Sequence, residues 1–311
     1  MVTLFFTYLN QIYTTQEAKK IWPYIGCGGL LGGIFGSSIS GWLSTALGNQ
    51  IILITCGLLA PIFLIVHHLE AFPNVQTIEN KALCPRDSRP LSTVFSEGIS
   101  VVFKSKYLLC MVAIVGLYEI VSTIIDYQFT ATISDIFPTR DAMAGFHGKV
   151  FFVAQIVSLL VQLFITPFVF RRFGIRMGLL FLPLALLIGS AAFMLIPLLY
   201  IITLSIGSEA AMAYSINQVS KEILYVPLDN VSKVKGKAFI DMFVFRGAKA
   251  AGAALLMAYT LWLIHHGWTF QYLMIINIVA ILIWLAAIQH VGTAFVRKLS
   301  PIESDHLQTP K

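Results

Sequence analysis

Ser220 to Gly252 reads SKEILYVPLDNVSKVKGKAFIDMFVFRGAKAAG and lies between two long apolar stretches. Lys233, Lys235 and Lys237 read as a basic surface loop, yet Asp241, Arg246 and Lys249 follow inside a segment that stays apolar to Ile264. An ionised side chain at bilayer depth costs from roughly 2.5 to over 10 kcal/mol unless a cavity or a partner receives it. Everything else in the chain bears on whether these groups lie in a membrane and what they face.

Of the 311 residues, 57% are hydrophobic and 12% charged, with mean hydropathy +0.81. Soluble domains keep about a quarter of their residues charged, so this composition excludes an ordinary soluble fold. Apolar runs of about 20 residues recur, the length that crosses a hydrocarbon core of roughly 30 Å. Such runs must be helical, because lipid offers no partners to open backbone. The chain is therefore an all-α integral membrane protein of about eight transmembrane helices, expected at 22–46, 50–69, 107–134, 144–170, 175–197, 199–221, 237–264 and 268–294. This divides it into a two-span part (1–69), a polar connection (70–106), a six-helix bundle (107–295) and a tail (296–311). Met1 to Tyr13 lacks the basic start and small-residue cleavage site of a signal peptide and reads as the end of a helix begun earlier.

The cations test this assignment independently, because cytoplasmic loops concentrate Lys and Arg. Alternate connections are basic: Lys19 and Lys20; Lys81, Arg86, Arg89, Lys104 and Lys106; Arg171, Arg172 and Arg176; Lys221, Lys233, Lys235 and Lys237; Arg297, Lys298 and Lys311. The opposite side holds Arg140 alone, and Lys149, Arg246 and Lys249 lie within spans. The C-terminus is thus expected in the cytoplasm, with a cell inner membrane as the site. The net charge of +6 follows membrane sidedness and implies a lipid bilayer as partner, not nucleic acid.

In the first span Gly29, Gly33, Ser37 and Gly41 recur four apart, a spacing that lets helix backbones approach closely. Leu91, Val94, Phe95, Ile99, Val102 and Phe103 share one helical face, as in a helix lying on the membrane surface. Cys27, Cys56, Cys84 and Cys110 have no paired spacing and read as small apolar residues. His67–His68 and His265–His266 close spans and read as interfacial anchors, so neither a metal nor a cofactor is expected. No nucleophile elbow, zinc-protease motif, phosphate loop or dinucleotide fingerprint occurs, and no catalytic residue is expected.

The candidate site comes from the intramembrane charges. At 1.5 Å of rise per residue, Glu119, Arg246, Lys249 and Glu209 all fall roughly 14 to 18 Å from a membrane face, near the midplane. Arg246 and Lys249, three apart, share a helix face, and a planar guanidinium beside a compact ammonium suits phosphate oxygens. The pair either binds an anionic, phosphorylated substrate or neutralises Glu119 and Glu209. Glu119 and Asp126 lie two turns apart on a polar face, where Glu119 is a candidate proton carrier. Asp126 and Lys149, near the outer surface, form either a gate or a static salt bridge. Asp241 is expected to pair with Lys237 at the cytoplasmic boundary. Gln155, Gln162, Asn217 and Gln218 either bind substrate or join helices.

Several stretches also resemble a known family. QEAKKIWPYIGCGGLLGGIFGS (Gln16–Ser38), KSKYLLCMVAIVGLYEIVSTIIDYQF (Lys104–Phe129), FRRFGIR (Phe170–Arg176) and KEILYVPLDNVSKVKGKAFIDMFVFRGAKAAG (Lys221–Gly252) are similar to segments of the nonmitochondrial ATP/ADP translocase family, within the major facilitator superfamily. The resemblance implies a major-facilitator-like bundle whose first three to four helices have no counterpart in this chain. It further implies secondary active transport of a nucleotide, with ATP exchanged for ADP by alternating access. Two other readings stay open: a transporter of the wider superfamily carrying a different solute, and a membrane remnant or scaffold that transports nothing. Oligomeric state has no signature in the sequence.

Overall fold

A computed structural model of the protein describes residues 15–38, 91–228, 232–263 and 273–308. These form eight helical segments: α1 (Thr15–Ser38), α2 (Leu91–Lys104), α3 (Lys106–Ile136), α4 (Arg140–Arg172), α5 (Gly174–Leu195), α6 (Leu199–Tyr225), α7 (232–263) and α8 (Leu273–Gln308). The span expected at 50–69 and both histidine pairs lie outside the described residues.

Local chemistry sets the breaks between helices. Ser105 caps α3 by accepting from the Leu108 amide, and Thr139 caps α4 by accepting from Ala142 at 3.3 Å. Phe137 and Ile196 are extended because prolines follow them, and that ends α3 and α5. Gly174 has φ +77°, so α4 and α5 are joined by a turn that favours glycine. Within α4 a π-helical turn at Val161–Ile165 precedes Pro167, whose ring disrupts regular helical bonding.

Five of the described helices are long and apolar enough to cross a membrane: α3, α4, α5, α6 and the Leu273–Thr293 part of α8. By length and composition α1 and α7 are not among them; α7 carries six charged residues, from Lys233 to Lys249. Helix α3 is central, packing against α6, α7 and α8, while α5 packs against α6 and α8. Their shared core includes Leu108, Ile125 and Phe129 from α3, Leu182 from α5, Ile206 and Ile223 from α6, and Trp284 from α8. Large apolar side chains such as Phe164, Leu195 and Leu204 point outward, as a lipid-facing surface requires. Buried polar groups join helices: Asn277 of α8 donates to Ser190 Oγ of α5 at 2.9 Å.

Several boundaries differ from the sequence reading. Helix α6 continues one turn beyond residue 221, to Tyr225, and α7 begins at 232. Lys233 and Lys237 are therefore buried helical residues instead of members of a surface loop. Helix α8 runs through the expected start of the tail to Gln308. Helix α2 forms, but it packs on α7 and on the start of α3. Val102 is buried and Gly98 sits against Phe239, whereas Phe103 is 71% exposed, so the apolar face is narrower than its spacing suggests.

Glycine lets α1 approach α4, through Gly33 of the expected set and through Gly26 outside it. A β-carbon at Gly33 would meet Gln155 and one at Gly26 would meet Gln162, whereas Gly29 has open space around it. The contact repeats every seven residues on both helices, with Gln155 and Gln162 as the filling side chains. Both glutamines thus pack against α1.

Candidate functional site

The site is built where α3, α6 and α7 meet. A cavity of about 270 Å³ is lined by Met111, Ile114 and Val115 of α3, by Gln218, Lys221, Glu222, Leu224 and Tyr225 of α6, and by Asp241, Phe245 and Arg246 of α7. One wall is apolar and the opposite walls carry charge. Two π-helical turns flank the polar part, at Ala213–Asn217 in α6 and at Ile240–Val244 in α7. Such turns change which side chains a helix presents, and they recur at functional positions.

Arg246 and Lys249, three apart, both stand on the exposed face of α7, and Arg246 reaches the cavity. Among the described residues neither makes an ion pair. The charge of Lys249 acts on Glu119 and Asp126 without closing a bridge to either. Glu119 is 4% exposed on α3. Glu209, 6% exposed on α6, accepts hydrogen bonds from Tyr118 Oη at 2.7 Å and from Ser122 Oγ at 3.1 Å. Its charge is thus received by hydroxyl groups of α3, not by the cations of α7. Asp126 is half-buried and has Lys249 as its cationic neighbour, while Lys149 is exposed on α4 and makes no ion pair with it.

Lys237 is not the ion-pair partner expected for Asp241: among the described residues the two make no ion pair, and Lys237 is taken by Glu222. Its ammonium is fully buried, 2.5 Å from Glu222 Oε2 and over the Tyr225 ring. Asp241 lines the cavity instead, within the fields of Lys237, Glu222 and Lys221. Gln218 donates to Glu222 Oε1 at 3.4 Å, one helical turn away.

The sequence reading missed Lys221, Glu222, Tyr225 and Tyr118 as site residues. The apolar run thins out at Lys221, so hydropathy groups it with the cytoplasmic connection. A signal was present: Gln218, Lys221, Glu222 and Tyr225 follow the three-and-four spacing of one helix face. What hid them was the absence from the sequence of any sign that α3 and α7 close over that face.

These features define a multi-pass helical membrane protein with a charge-lined cavity between its helices. The chain belongs to the TLC ATP/ADP transporter family, whose profile matches residues 1–201 and 202–295. It is 23% identical over 288 residues to ADP,ATP carrier protein 1 of Chlamydia trachomatis, covering 81% of this chain and 54% of that protein. It is 25% identical over 320 residues to the chloroplastic ADP,ATP carrier protein 1 of Arabidopsis thaliana, covering 91% and 50%. Against ADP,ATP carrier protein 3 of Rickettsia conorii the identity is 24% over 292 residues, covering 80% and 58%. The chain thus spans about half the length of the curated relatives it matches.

Proposed function

We propose that this chain moves a nucleotide across a membrane, with Arg246 and Lys249 receiving its phosphates. The observation that carries the reading is that two cations share one exposed face of α7, with Arg246 at a cavity and neither in an ion pair among the described residues. A cation without a carboxylate partner at membrane depth is costly, and an anion passing the site offsets that cost. Guanidinium and ammonium together offer forked and single-point donors to phosphate oxygens. The names of the relatives point to ATP and ADP as the nucleotides. Movement proceeds by alternating access, with helices rocking about the charged cavity and the ion pairs around it exchanging partners. The excess of Lys and Arg on alternate connections supports a cytoplasmic C-terminus, and a cell inner membrane is the proposed location. Such a protein works as a carrier and performs no bond-making chemistry.

The test is uptake of radiolabelled ADP and ATP into proteoliposomes. The double variant R246Q/K249Q is expected to lower uptake at least tenfold with unchanged protein insertion. Equal uptake by the variant overturns the reading, and uptake of adenosine in preference to ADP removes the phosphate from it.

A further inference from the structure

We propose that Lys221 of α6 is a third phosphate-binding cation, facing Arg246 across the cavity and held ready by the ring of Tyr118. The inference rests on the anion reading of the site and extends it to a residue on a different helix. Lys221 and Arg246 both line the cavity, one from α6 and one from α7. The Lys221 ammonium lies 5.4 Å from the centroid of the Tyr118 ring, and among the described residues it makes no ion pair. Its neighbour in sequence behaves differently: Glu222 is committed to Lys237. Asp241, Glu119, Glu222 and Glu209 are the carboxylates whose charges act on Lys221, and among the described residues none of them closes an ion pair with it.

An aromatic face suits such a parked cation. It stabilises the ammonium without occupying its N–H donors in strong hydrogen bonds. A phosphate oxygen offers a stronger, charge-assisted bond, so an arriving anion draws the ammonium away from the ring. Tyr118 itself stays in place, because its hydroxyl is held by Glu209 at 2.7 Å and its ring packs near Trp284. Two cations on opposed helices also match a polyphosphate better than one, since α6 and α7 can each take a phosphate group.

The experiment measures binding of radiolabelled ADP to the purified full chain, with unlabelled pyrophosphate and adenosine as competitors. K221Q is expected to weaken ADP binding and displacement by pyrophosphate at least tenfold, and K221R to stay within threefold of wild type. In the unaltered protein, Lys221 is expected to be shielded by ADP from acetylation, read by mass spectrometry; this arm does not depend on how a variant folds. Unchanged ADP affinity in K221Q alongside its loss in R246Q, or acetylation of Lys221 that ADP does not slow, overturns the role of Lys221 and leaves the anion reading standing. Displacement of ADP by adenosine but not by pyrophosphate in wild type overturns both.

Discussion

Lys237 Nζ lies 2.5 Å from Glu222 Oε2, with the lysine side chain 0% and the glutamate side chain 7% exposed. This buried pair ties the end of α6 to the start of α7. Removing one member leaves a buried charge without its counterpart, a defect that costs about 3–5 kcal/mol. K237A and E222A are each expected to lower the midpoint of unfolding in detergent markedly. The double replacement K237M/E222L, which removes both charges and keeps the volume, is expected to recover most of the loss. A double variant as unstable as the two single losses added together contradicts this account of the pair.

Tyr118 carries a second separable effect. Its hydroxyl donates to Glu209 at 2.7 Å, and Ser122 donates to the same oxygen at 3.1 Å. Y118F keeps the ring but takes one donor from a buried carboxylate, for which about 1–3 kcal/mol is the ordinary cost. S122A removes the longer bond and is expected to cost less. Chemical denaturation in detergent ranks the two, and S122A proving the more damaging counts against Glu209 being held chiefly by Tyr118.

Two glycines on facing helices give opposite expectations. A β-carbon at Gly189 of α5 would meet Ser205 Oγ and Cβ, whereas one at Gly207 of α6 meets nothing within 4 Å. G189A is therefore expected to destabilise by about 1–3 kcal/mol through overpacking. G207A is expected to be neutral or to stabilise by up to about 1 kcal/mol, since alanine loses less backbone freedom in a helix. Thermal unfolding of the two variants side by side checks the sign of each.

The helical membrane architecture was legible because its cause is local. Runs from 107 to 221 had to be helices wherever they lay, as apolar backbone in lipid has no other way to satisfy its hydrogen bonds. The ends expected at 134, 170, 175 and 197 lie within two residues of those observed at Ile136, Arg172, Gly174 and Leu195, where Pro138, Gly174 and Pro197 interrupt the helices. Boundaries failed where a helix is amphiphilic instead of apolar. Residues 222–225 and 232–236 are helical yet carry Glu222, Lys233 and Lys235, and hydropathy cannot distinguish a charged helix inside a bundle from a loop.

The sequence by itself determined that this is a multi-pass α-helical protein of the TLC ATP/ADP transporter family, and that Arg246 and Lys249 share a helix face, because spacing along one helix fixes relative direction. Only the tertiary structure decided which charges meet. It gave Lys237 to Glu222, placed hydroxyl groups of α3 on Glu209, turned Gln155 and Gln162 toward α1, and brought Lys221 into the cavity with Arg246. These pairings join residues on different helices. Their geometry depends on how the helices rotate and stack, which no periodicity within a single segment records.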